Sequence, residues 1–230
     1  MGAVYLIRHG QASFGAANYD HLSATGEEQS RVLGAALRQR IPKVDAVARG
    51  TMQRHRQTAE SCLKAMQLEL AHQELSGFNE YDHEQMVERY EPRYADKRQL
   101  AADIAKSPEP RRAFQEIFIK AMERWASGRH DGEYTESWAG FGARCVGALD
   151  TLIASLGPSK TALVFTSGGP ITAICQNLLS VPDAPAQRMN WTMANCGVTK
   201  VIYSDRNLYL STLNEHAHFE GALSKLITYR

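Results

Sequence analysis

Val4-Tyr5-Leu6-Ile7-Arg8-His9-Gly10 is the stretch that decides the fold. Val4 to Ile7 is a continuous apolar run of β-formers, too short for a core helix and of the right length for a strand buried on both faces of a sheet. Such a strand delivers Arg8 and His9 to its C-terminal rim, where Gly10 lets the backbone turn away closely. A guanidinium beside an imidazole suits an anion. A neutral imidazole nitrogen can also attack phosphorus, which splits ester hydrolysis into phosphorylation and dephosphorylation. Taken alone, a histidine in this position reads more readily as structural, with Arg8 as its solvated neighbour.

Working outward, strands and helices alternate. Thr25, with Glu28 three residues on, forms a capping box for a helix carrying Val32, Leu33, Ala36 and Leu37, and Pro42 marks its stop. Val44 to Ala48 predicts a second strand, and Arg54 to Met66 a helix with Ala59, Cys62, Leu63 and Met66 on its inner face. Ala162 to Phe165 predicts another central strand, ended by Gly168, Gly169 and Pro170, with a helix running on to Leu179. Val198 to Tyr203 and Leu208 to Leu213 predict a hairpin that turns at Asp205, Arg206 and Asn207. Residues from about 80 to about 157 are mostly helical in pattern, broken by Pro92, Pro108 and Pro110, with Phe114, Ile117, Phe118, Met122 and Trp125 on one stripe. The expectation is an α/β three-layer sandwich, with a mostly parallel central sheet, helices on both faces, and a helical insertion over the C-terminal strand ends. Residues 1–230 would form a single domain with that insertion inside it. Ligands in such sheets bind beyond the C-terminal strand ends, where both His9 and Ser167 fall.

Composition narrows the function classes. The chain has 230 residues, 43% of them hydrophobic, enough for a sizeable core. Lys and Arg number 26 against 25 Asp and Glu, so a net charge of +1 predicts neither a nucleic-acid nor a membrane surface. Cys62, Cys145, Cys175 and Cys196 are scattered without a CxxC pair, which predicts buried thiols rather than a zinc ribbon or a disulfide framework. No secretory leader is readable, and no stretch approaches the roughly 20 apolar residues of a membrane span, so a cytoplasmic protein is expected. Of the eight histidines only His216 and His218 are closely spaced, and no HExxH pattern occurs, so no metal or other cofactor is expected.

A second constellation runs from Thr51 to Glu60 as Thr-Met-Gln-Arg-His-Arg-Gln-Thr-Ala-Glu. It places Arg54 near a helix N-terminus, where the dipole and free N–H groups favour phosphate oxygens. Alone, Arg54 and Arg56 read as decoration of an exposed first turn. Together, the elements resemble a known family. Arg8-His9-Gly10 looks like the RHG signature of the histidine phosphatase (phosphoglycerate mutase-like) superfamily, and Arg54 with Gln57, Thr58 and Ala59 looks like its RxxQTA element. Leu22, Ser23 and Gly26 resemble its LSxxG helix start, and Asn195, Val198 and Thr199 its late strand.

The resemblance implies that His9 is the nucleophile, becoming phosphohistidine, and that Arg8 and Arg54 grip the nonbridging oxygens. Of the acids after Phe78, Glu80 fits best as the proton donor to the leaving oxygen. A partly dry carboxyl close to phosphate stays protonated for that task. Asp82 and Glu84 are rivals. The implied partner is a small-molecule phosphate ester or other phosphorylated substrate, and the sequence admits a homodimer.

Three positions depart from the family. Members usually carry a second histidine in an SHGG element, whereas this chain reads Thr166-Ser167-Gly168-Gly169. Losing one charge-assisted donor at a reacting centre costs about 10² to 10³ in rate. Ser167 itself and the backbone of Gly168 and Gly169 are available as phosphate-binding donors, and His216, His218 or His21 could move in. Gly50 stands where the arginine element often begins with Ser, and Gly15 where mutases place an Asn; both favour a general phosphatase over a mutase. Two readings stay open: a phosphatase working through His9, or a catalytically weak or inactive phosphate-binding, regulatory relative. A serine hydrolase using Ser167 fits poorly, because the nucleophile elbow wants Gly where Phe165 stands.

Overall fold

The computed structural model describes residues 1–13 and 20–229. They fall into two compact units, Met1–Glu80 with Arg144–Arg230, and Tyr81–Ala143. The first unit holds a six-stranded sheet in the order β3-β2-β4-β1-β5-β6. Its strands are β1 (Gly2–Arg8), β2 (Ala46–Arg49), β3 (His72–Glu74), β4 (Thr161–Thr166), β5 (Val198–Tyr203) and β6 (Leu208–Glu215). β3, β2, β4 and β1 are mutually parallel, while β5 runs antiparallel to both β1 and β6. The fold class is therefore mixed α/β with a mostly parallel sheet, as expected.

The apolar run of β1 is buried at Val4, Leu6 and Ile7, and β4 is buried from Ala162 to Phe165. Successive side chains point to opposite faces, so full burial means that both faces are covered. On one face Ile7, Val47, Leu163 and Phe165 pack with Leu33 and Leu37 of α1 (Ala24–Arg40) and with Ala59, Cys62, Leu63 and Met66 of α2 (Gln53–Met66). The inner face expected for α2 is the one observed. The start of α1 differs from expectation: Ser23 caps it, accepting from Gly26 N–H at 3.1 Å, and Glu28 bonds Arg31 instead of closing a box. The cap lies two residues earlier, where Ser23 N–H donates to the Gln11 carbonyl at 2.9 Å and holds the entry to the helix.

The second unit contains α3 (His83–Tyr90), α4 (Lys97–Ala105), α5 (Pro110–Ala126) and the first residues of α6 (Trp138–Leu156). Its core is aromatic, with Trp125 within 6.4 Å, ring centre to ring centre, of Tyr81, Tyr134, Trp138 and Phe141. α6 corrects one expectation, since by length and composition alone it could cross a membrane. Its buried residues Phe141, Cys145, Leu149 and Leu152 recur at helical spacing, the stripe of a helix packed against protein. Two helices follow β4: α7 (Gly168–Leu179), with Pro170 in its first turn as expected, and the short α8 (Asp183–Trp191), which the pattern analysis does not anticipate. All four cysteines are buried free thiols.

Candidate active site

β1 and β4 run side by side with Arg8 level with Thr166, so the loops that follow them leave the sheet together. His9 N–H donates to the Thr166 carbonyl at 2.8 Å, which ties the two loops at their roots. His9 and Ser167 are thus neighbours by register, the juxtaposition anticipated from the strand ends.

The His9 imidazole is 5% exposed. Its Nδ1 lies 2.7 Å from the Gly10 carbonyl oxygen. A carbonyl only accepts, so Nδ1 carries the hydrogen and Nε2 keeps its lone pair. Burial, and then the charges of Arg54 and Arg8 and the nearby His55, hold the His9 pKa well below the ordinary imidazole value. The ring is therefore a neutral base with one defined nucleophilic nitrogen at neutral pH.

Buried amides hold the backbone behind it. Asn195 Nδ2 donates to the His9 carbonyl at 3.1 Å, Cys196 N–H donates to that of Arg8 at 3.0 Å, and Thr228 Oγ1 donates to Asn195 Oδ1 at 2.9 Å. Gln29 extends the network, donating to Thr228 and accepting from Gln11 N–H, both at 2.8 Å. The signature motifs act here as joints. Gly10 N–H donates to Thr58 Oγ1 at 3.0 Å, and Thr58 donates to the Arg54 carbonyl at 2.7 Å. Gln57 accepts from Leu22 N–H at 2.8 Å, and Gln57 Nε2 donates to His21 Nδ1 at 3.1 Å, which fixes His21 in the loop wall. A Cβ on Gly10 would lie 2.4 Å from the Gly26 carbonyl oxygen, so this position tolerates only glycine.

Arg8 donates through Nη1 to the carbonyls of Met193 and Tyr229, and its Nε lies 3.6 Å from where a Gly168 Cβ would stand. The buried Arg54 donates to Asp20 Oδ1 at 2.7 Å, and Gln53 N–H, at the start of α2, donates to Asp20 Oδ2 at 2.8 Å. A carboxylate thus fills the anion position that the helix terminus and guanidinium create together. Glu80 Oε2 accepts from Gly169 N–H at 3.1 Å, which places its carboxyl at the head of α7. Of its rivals, Asp82 caps α3 by accepting from Gln85 N–H at 2.9 Å, and Glu84 pairs with Lys97 at 2.6 Å. Gly15 lies outside the described residues.

Ser167 is fully buried and heads α7 without capping it. Its Oγ lies instead 2.7 Å from His55 Nε2. His55 is the site residue that sequence reasoning misses. It too is fully buried, its ring centre 5.8 Å from that of His9, with its pKa lowered by burial and by the charges of Arg54 and Arg49. Among the described residues its Nδ1 has no hydrogen-bond partner. Gly50 provides the room, since a Cβ there would stand 2.3 Å from that nitrogen. The available signal was a histidine inside the arginine element of a chain lacking the usual one at position 167. The serine-nucleophile reading gains a histidine but no group to orient it. The Nδ1 of His216 lies 2.6 Å from the Asn214 carbonyl oxygen. His218 packs 4.1 Å from Phe219, its pKa pushed by burial down to about 4. Among the described residues no cluster of three or more His, Cys, Asp or Glu is placed to hold a metal ion.

Comparison with known proteins gives the family and the fold. The sequence profile described as histidine phosphatase superfamily (branch 1) matches residues 4–216. No curated protein matches. Among solved structures, a phosphoglycerate mutase from Bacillus anthracis superposes with a TM-score of 0.65 at 18% identity, covering 97% of this chain and 96% of that one. A phosphoserine phosphatase variant from Entamoeba histolytica, in complex with phosphoserine, gives 0.67 at 16% identity, with 95% and 99% covered. A mycobacterial glucosyl-3-phosphoglycerate phosphatase gives 0.62 at 20% identity, with 92% and 98% covered.

Proposed function

The chain belongs to the histidine phosphatase superfamily, and from that premise we propose that it hydrolyses a small-molecule phosphate monoester through a phosphoryl group carried on His9. One observation carries this reading: the bond from His9 Nδ1–H to the Gly10 carbonyl leaves Nε2 as the nucleophile, in surroundings that keep the ring neutral. Phosphatases for phosphoserine and glucosyl-3-phosphoglycerate among the structural neighbours support a small phosphorylated substrate.

In the first step Nε2 donates its lone pair to phosphorus, the ester P–O bond breaks, and the departing oxygen takes a proton from the Glu80 carboxyl group. The ring becomes cationic, and its Nδ1–H bond to Gly10 strengthens. Arg8 and Arg54 attract the nonbridging oxygens as charge redistributes, with Arg54 exchanging the Asp20 carboxylate for phosphate. In the second step water attacks phosphorus, Glu80 takes the water proton, the N–P bond breaks, and its electron pair returns to Nε2. Orthophosphate leaves, and no metal takes part in either step. A mutase would pass the phosphoryl group to a second hydroxyl instead.

The test is release of orthophosphate from a panel of phosphate monoesters, together with trapping of labelled enzyme. The expected result is multiple turnover and an acid-labile, alkali-stable phosphoryl label, both absent in His9→Ala. Phosphoryl transfer between substrate hydroxyls without net release would assign a mutase. Phosphate binding without turnover or label would assign the non-catalytic relative.

A further inference from the structure

We propose that His55 and Ser167 form a two-residue hydrogen-bond relay that donates to the phosphoryl group on His9, with Ser167 touching that group and His55 positioning the Ser167 hydroxyl. The inference rests on the phosphohistidine reading and assigns His55 a part in it.

The direction of the relay follows from which polar atoms lack partners. His55 Nδ1 is buried with no partner among the described residues, while Nε2 lies 2.7 Å from Ser167 Oγ. A buried N–H without an acceptor is costlier than an underused lone pair, so the hydrogen belongs on Nε2. Burial and two flanking guanidinium groups hold the ring neutral and exclude a hydrogen on both nitrogens. Nε2–H therefore donates to Ser167 Oγ. That fills an acceptor site of the hydroxyl and leaves its hydrogen to point elsewhere.

Ser167 is free to do so because it does no capping work for α7, and among the described residues His55 is its hydrogen-bond partner. Position selects the recipient. Thr166 pairs with Arg8 in register, so the next residue along each chain stands at the rim, Ser167 beside His9. The His55 and His9 ring centres are 5.8 Å apart, so the hydroxyl that His55 bonds belongs to the same cluster of side chains as His9. Accepting a hydrogen bond polarises the hydroxyl and makes it a stronger donor than serine alone. Gly50 completes the device by leaving the imidazole its space.

The experiment compares Ser167→Ala, His55→Leu, His55→Gln and the Ser167→Ala/His55→Leu pair, each checked for folding by circular dichroism and thermal unfolding. With the relay, Ser167→Ala and His55→Leu each lower kcat by about 10²-fold or more, with KM within a few-fold of wild type. The double variant falls no further than the worse single one, since the two act as one unit. His55→Gln, whose amide can donate to the same hydroxyl, recovers most of the rate. If His55→Leu does not fold, Ser167→Ala and His55→Gln carry the comparison. Unchanged kcat in Ser167→Ala, or additive losses in the pair, would overturn the relay while leaving the phosphohistidine reading intact. Should wild type hydrolyse nothing, calorimetric binding of inorganic phosphate replaces kcat. Weaker binding by both single variants supports the donor role, and equal binding, or none by wild type, rejects it.

Discussion

Replacing Gly50 by alanine tests the site through its packing. The added Cβ would stand 2.3 Å from His55 Nδ1 and 2.7 Å from Asn79 Oδ1, where carbon contacts settle at about 3.5 Å. The ring must therefore shift by about 1 Å, which spoils the geometry of its 2.7 Å bond to Ser167. His55 is fully buried, so the displaced ring meets other packed atoms instead of solvent. Overpacking of this kind costs about 1–3 kcal/mol. The lost hydrogen bond adds about 0.5–1.5 kcal/mol. A net destabilisation of about 2–4 kcal/mol is expected by urea unfolding, with a fall in kcat like that of Ser167→Ala. Gly147→Ala is the control, because nothing lies within 4 Å of its Cβ on the exposed side of α6. It should stabilise by about 0.5–1 kcal/mol through helix propensity. Equal stability of Gly50→Ala and wild type would show that His55 is not held where the structure has it, and would refute the steric argument.

Thr58→Val should cost about 1–3 kcal/mol, because it strands the buried Gly10 N–H that Thr58 Oγ1 accepts at 3.0 Å; an unchanged urea midpoint would count against this joint. His9, His55 and His218 all have folded pKa values below the unfolded value of 6.5, His218 at about 4. Below pH 6.5 the unfolded chain takes up protons that the folded one refuses, so stability is full above that pH and falls on acidification. Each histidine adds a slope of up to about 1.4 kcal/mol per pH unit. His218→Gln should lessen that slope between pH 6.5 and about 4, and an identical pH profile would contradict the burial argument. Asp20→Asn should tighten inorganic phosphate by up to about fivefold in calorimetry, since a half-exposed carboxylate competing for Arg54 is worth about 0.2–1 kcal/mol. Weaker binding would show that Asp20 positions Arg54 and does not hold the phosphate's place.

Most of the sheet was readable because its strands obey one rule: a short apolar run with a breaker behind it. Val4 to Ile7 and Ala162 to Phe165 are both buried on two faces, and each has a glycine three residues beyond its end. β3 escapes the rule, as a three-residue edge strand of His72, Gln73 and Glu74 whose place is set by pairing with β2 and by Arg49, which bonds His72 and Glu74. The start of α1 was misplaced for a similar reason. Thr25 and Glu28 satisfy the local capping pattern, but the bond from Ser23 N–H to the Gln11 carbonyl, invisible to any local pattern, holds Ser23 at the cap.

The site divides along the same line. His9, Arg8 and Arg54 were readable because each sits where a regular element ends, and element ends are what periodicity locates. Their partners come from loops and distant turns. Asp20 meets Arg54 across 34 positions, and Ser167 meets His55 across 112. The loss of a histidine at position 167 looked like a deletion of chemistry when read within its own loop. In three dimensions an imidazole, that of His55, stands beside this position. A side chain on α2 reaches the head of α7, a glycine at position 50 clears its path, and a serine stands at the meeting point. Gly50, His55 and Ser167 seem unrelated along the chain, yet in the fold the imidazole fills the space that Gly50 leaves and meets the serine hydroxyl.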